Sequence, residues 1–205
     1  MQMLRSRLAE VRIETVTATF VAAGTPAGIH DLGRLLENLN NPTLAHHIEL
    51  HEPAVRPLYR AGQPLQLEAP MLVRRDEIIF ANFEGPYFNR GAVRLPEVDV
   101  PVLLLAPPFQ IQGSVMLQPG AEATQALHAA LQRFFVVRHA RVFDADGTPL
   151  GEGEQIVVNG GAVVMTSATQ RHIPGLAETP VVRRATTLTP VDSTEPDEDR
   201  SIRAA

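Results

Sequence analysis

The sequence predicts an α+β fold made by tandem duplication of one small strand-rich β-β-α-β-β-β unit. Three observations carry this prediction. Each half opens with apolar residues at every second position, continues with a single amphipathic helical pattern, and closes with strand patterns that align between the halves without a gap. Sheets packed as partly open barrels are one arrangement of such units.

The first half alternates at Val16, Ala18, Phe20 and Ala22, and the second at Phe109, Ile111, Val115 and Leu117, which turns one face of a strand toward a core. A Pro/Gly break follows in both. After Thr25-Pro-Ala-Gly28 come Ile29, Leu32, Leu35, Leu36 and Leu39; after Gln118-Pro-Gly120 come Ala123, Leu127, Ala130, Leu131 and Phe134. Both sets follow i, i+3/i+4, i+7 spacing, so each predicts one short helix. Asn40-Asn-Pro42 stops the first.

Strand patterns then return over His46–His51, Leu65–Val73 and Glu77–Asn82, and over Val136–Phe143, Glu154–Val158 and Ala162–Ala168. Leu72 to Phe80 lies over Val157 to Met165, and Asn159-Gly-Gly161 predicts that these closing segments are tight hairpins. The resulting division is a first unit over 1–83, a Gly/Pro-containing linker over 84–99, a second unit over 100–170, an extension over 171–189 and a tail over 190–205. The tail carries five acidic and two basic residues with only Val191 and Ile202 as larger apolar side chains, so disorder is expected there.

Residues 102–168 of the second unit resemble an uncharacterised family of small prokaryotic α+β domains of unknown function. The resemblance rests on Ile111-Gln-Gly-Ser-Val-Met-Leu-Gln-Pro-Gly120, Ala140-Arg-Val-Phe-Asp144 and Ile156-Val-Val-Asn159. It implies a fold and no catalytic residues. The first unit departs from the pattern: Ala18 takes the place of Gly113, and Pro53 and Pro57 interrupt the third strand region.

Composition narrows the function classes. Hydrophobic residues make up 44% and charged ones 20% of the 205, a globular balance. There is no cysteine, which excludes disulfides, thiolate nucleophiles and cysteine zinc sites and fits a cytoplasmic protein. No leader or membrane-spanning run is expected. A net charge of −5 argues against nucleic-acid binding through a basic surface. All eighteen basic residues are arginines, scattered along the chain, as a GC-rich genome produces.

Few residues suggest chemistry. In His46-His-Ile-Glu-Leu-His51, a strand projects His47, Glu49 and His51 from one face, a possible divalent-metal set against the alternative of a solvated face over Ile48 and Leu50. Alternate strand residues stand about 7 Å apart, a strained reach for one ion. Asp144-Ala-Asp-Gly147 is a hairpin turn before it is a calcium loop. Ser114 and Ser167 lie within strand patterns and have no base beside them in sequence. No P-loop lysine exists and no cofactor is expected.

These features favour a non-enzymatic binding or assembly module whose partner is another protein or a second copy, because strand-rich units expose edges that pair with other chains. The runner-up is a domain binding an anionic small molecule or RNA at the junction of the copies through Arg74, Arg75, Arg138 and Arg141. A metal-dependent enzyme using His47, Glu49 and His51 is the third reading.

Overall fold

A computed structural model describes residues 11–41, 43, 46–59, 62–86 and 97–168. The first half contains β1 (Arg12–Val16), β2 (Phe20–Pro26), α1 (Leu32–Asn40), β3 (His47–Pro57), β4 (Leu65–Gln66), β5 (Met71–Arg74) and β6 (Phe80–Glu84). The second contains β7 (Val98–Ala106), β8 (Phe109–Leu117), α2 (Ala123–Ala130), β9 (Phe134–Phe143), β10 (Pro149–Asn159) and β11 (Met165–Ala168). The predicted extension and tail, and most of the predicted linker, lie outside the described residues. Strand β7 already begins at Val98, inside the stretch assigned to the linker.

The strands form one open antiparallel sheet in the order β11-β7-β8-β9-β10-β6-β1-β2-β3-β4, with β5 pairing β3 beside β4. Helix α1 forms where expected from Leu32 onward, while Ile29, expected on it, precedes its Asp31 cap. The Asp31 carboxylate caps it by accepting the Arg34 N–H at 2.7 Å, and Leu32, Leu35 and Leu39 are buried on one face. Helix α2 buries Leu127 and Ala130. Phe134, expected on this helix, is instead the first residue of β9, where it is buried from the sheet. Its spacing continued the helical period past the helix end at Leu131.

Three further expectations are corrected. The closing segments are not hairpins. Arg75–Glu77 and Gly160–Ala162 are single 3-10 turns, closed by Ile78 N–H to Arg75 O and Val163 N–H to Gly160 O, each 3.1 Å. The Asn159 side chain accepts the Gly161 N–H, which favours this turn over a two-residue hairpin. The chain therefore leaves β5 for β6 beside β1, and β10 for β11 beside β7.

Pro53 and Pro57 do not interrupt the third strand either. Strand β3 runs through Pro53 and ends on Pro57, with a bulge between the partners of Ala23 and Thr25 that takes up Glu52 and Pro53. A matching bulge lies between β8 and β9, and the two extra residues, Glu52 and His139, share φ values of 49° and 48°. Gly24 and Gly113 sit opposite these bulges, where a Cβ would come within 2.8 Å of His51 O and 2.7 Å of Arg138 O respectively. Gly24, and not Ala18, thus occupies the place of Gly113.

The core has two parts. One gathers around α2 and includes Leu104, Ile111, Leu127, Val137, Ile156 and Val158; the other gathers around α1 and includes Ile13, Leu32, Leu35, Leu50 and Ile78. The central strands serve both. Ile156 and Val158 of β10 enter the first and Val157 the second, while Phe80 of β6 enters the first and Ala81 the second. Strand side chains alternate between faces, so the middle of the sheet is buried on both sides.

Candidate assembly interface at the ends of the sheet

The contact between the halves is a three-residue antiparallel pairing: Ile156 with Asn82, Val157 with Ala81 and Val158 with Phe80. It continues into the turns. Asn159 donates its backbone N–H to Ile79 O and its side-chain amide to Ile78 O, both at 2.9 Å. Phe80 also meets Phe109 edge to face, with ring centroids 5.2 Å apart. A second tie joins α1 to β9. The Asn40 side chain accepts the Phe134 N–H at 2.7 Å and donates to Phe134 O at 2.9 Å.

Strands β5 and β11 occupy the same local frame as β10 and β6 but lack that contact. The Val164 N–H donates to Leu105 O at 2.8 Å, as the Ile79 N–H donates to Val16 O at 2.8 Å. Met165 then pairs with Leu105 as Phe80 pairs with Val16. At the other end Leu72 pairs with Glu49 of β3, as Val157 pairs with Val136 of β9. The frames match beyond the strands, since Arg75 N–H bonds His46 O and Gly160 N–H bonds Arg133 O.

By this correspondence Leu72 answers to Val157, Val164 to Ile79 and Met165 to Phe80. The exposures are opposite. Leu72, Val164 and Met165 are 63%, 66% and 63% exposed, against 0%, 7% and 5% for their counterparts. Among the described residues β5 pairs only β3 and β11 pairs only β7, so each leaves one edge of backbone donors and acceptors unpaired. Leu65 of β4, beside β5, is also largely exposed.

His47, Glu49 and His51 do share one exposed face of β3, as predicted. His51 Nε2 lies 3.4 Å from a Glu49 carboxylate oxygen. The described residues contain no group of three or more histidine or acidic side chains placed to hold a metal ion. The register offers another account of these residues. His47 and Glu49 stand beside Arg74 and Leu72 of β5, where β9 sets Phe134 and Val136 beside Asn159 and Val157. The positions that are apolar at the junction are polar at this end.

The four candidate arginines fall into two places. Arg74 is exposed and lies 3.6 Å from Glu77, whereas Arg75 is largely buried, donates to Asn41 O at 3.2 Å and contacts Asp76. Strands β3, β2, β1, β6 and β10 separate them along the sheet from Arg138 and Arg141 on β9. Arg138 contacts Met116 Sδ at 3.1 Å and Asp99 at 3.7 Å. It lines a cleft of about 660 Å³ between α1 and the second half, together with Arg133, Glu37 and Glu97. Among the described residues two acidic side chains balance the two basic ones that line the cleft. Arg141 lies outside that cleft, beside Glu152 and Glu154.

Sequence reasoning did not single out Leu72, Val164 and Met165. The alignment that set Leu72 over Val157 and Phe80 over Met165 held the signal, but nothing in it says which member of each pair finds a partner strand. No protein family, curated protein or solved structure matches the chain.

Proposed function

We propose that the chain is a tandem duplication of one strand-rich α+β unit and works as a non-enzymatic binding or assembly module, accepting a protein strand at the free edges of β5 and β11. Its second unit is, in this proposal, a relative of the prokaryotic domain family that it resembles. Added strands bind through main-chain hydrogen bonds and are selected by the side chains on alternate positions. The observation that carries the reading is the exposure of Leu72, Val164 and Met165 on edges that no strand among the described residues pairs. Sheet edges are ordinarily blunted with charge or proline, and large exposed apolar groups on such an edge leave it open to an added strand.

Panning a random peptide display library tests this, using the purified chain and a variant carrying Leu72→Lys, Val164→Lys and Met165→Lys. Extended apolar peptides should be enriched on the chain and bind the variant at least about tenfold more weakly, equivalent to about 1.4 kcal/mol. Peptides that bind both alike, or no enrichment at all, contradict the reading.

A further inference from the structure

We infer that the partner at these edges is a second copy of this chain: β5 of one copy pairs antiparallel with β11 of the next, repeating between chains the contact that β10 makes with β6 inside one. This rests on the edge-binding reading above and names its occupant.

The register follows from the junction. Translating Ile156–Asn82, Val157–Ala81 and Val158–Phe80 through the matching frames gives Met71 opposite Ser167, Leu72 opposite Thr166 and Val73 opposite Met165. The two ends are complementary in kind, because β5 sits where β10 does and β11 sits where β6 does. Each end therefore presents the half of the contact that the other lacks. The apolar groups left in water, Leu72, Val164 and Met165, are the ones whose counterparts the junction buries. Beyond the strand pair, Arg74 stands in the place of Asn159, so its backbone N–H meets the Val164 carbonyl of the next copy as the Asn159 N–H meets that of Ile79.

The contact is looser than the junction. His47 and Glu49 replace Phe134 and Val136 on the flanking strand, so this end tolerates water when unoccupied. Joining unlike patches, the interface is heterologous, and copies add head to tail until the rotation closes a ring or runs on as a filament.

Sedimentation velocity over a hundredfold range of concentration tests the inference with two variants. Leu72→Lys blocks the β5 end, and Met165→Lys blocks the β11 end. The unaltered chain should gain mass with concentration, each variant alone should remain monomeric, and their equimolar mixture should form dimers and nothing larger, since one good end remains on each. Circular dichroism checks that both variants keep their strand signal. Because the chain has no cysteine, Leu72→Cys in one copy and Thr166→Cys in another should give an oxidised cross-linked pair, lost when the second position is moved to Ser167→Cys.

A chain that stays monomeric at every concentration overturns the inference, whether residues 169–205 or another protein covers the edges. If library peptides still bind there, edge binding survives without self-assembly. Variants that associate as the unaltered chain does, or a mixture that fails to pair, also overturn it.

Discussion

The β6–β10 junction and the two ends of the sheet share a backbone frame and differ in what water reaches. At the junction Ile79, Phe80 and Val157 are buried; at the ends Val164, Met165 and Leu72 occupy corresponding positions in the open. The side chains are comparably apolar in the two places. Burial is therefore decided by whether a strand stands alongside. The contrast between Phe134 and His47 adds a second lesson. A flanking position that is permanently covered is aromatic, and its counterpart at an open end carries a polar ring.

The largest effect separating the two regions is expected from alanine substitution of matched residues. Phe80→Ala should lower unfolding stability by about 3 to 5 kcal/mol, because it empties a packed site in the middle of the sheet. Met165→Ala should change monomer stability by no more than about 0.5 kcal/mol. Urea denaturation of dilute protein measures both, and equal costs would break the comparison.

Ile156→Ala sharpens it at the β10 side of the junction, with an expected loss of about 2 to 5 kcal/mol by the same measurement. Leu72→Ala, on the corresponding end strand, should again stay within about 0.5 kcal/mol. A large loss there would mean that Leu72 is covered in the isolated chain.

A smaller effect is expected where hydrogen bonds hold the halves together. Asn40→Ala removes both partners of the Phe134 backbone and should cost about 1 to 3 kcal/mol, the penalty for leaving buried polar groups unsatisfied. Thermal unfolding would register this as a shift of several degrees. The smallest effect belongs to the open face of β3. Glu49→Gln, which removes the charge from an exposed contact with His51, should alter stability by less than about 0.5 kcal/mol.

Much of the fold was legible locally. Leu32, Leu35 and Leu39 at helical spacing, with Asp31 before them, give α1 both its buried face and its cap. The alternation in Phe109 and Ile111 marks β8, and Asp144 closes the β9–β10 turn by accepting the N–H groups of Asp146 and Thr148. Non-local pairing was less legible. The Leu72–Phe80 and Val157–Met165 segments look like hairpins because two apolar runs flank polar turn residues, yet each run takes its partner from a distant strand. Phe134 carried a helical spacing and a strand burial at once. Of the candidate site, the exposed face of His47, Glu49 and His51 followed from period-two alternation, whereas the exposure of Leu72, Val164 and Met165 depends on which strand lies beside them.

The most direct measurement of the central claim is amide hydrogen exchange followed strand by strand at low and high protein concentration. In dilute protein the amides of β5 and β11 that face away from β3 and β7 should exchange rapidly, while those in the β6–β10 pairing stay protected. At high concentration protection should rise in β5 and β11 together and remain unchanged in β4. Edges already protected in dilute protein, or edges that stay unprotected at high concentration while the chain associates elsewhere, would contradict the account.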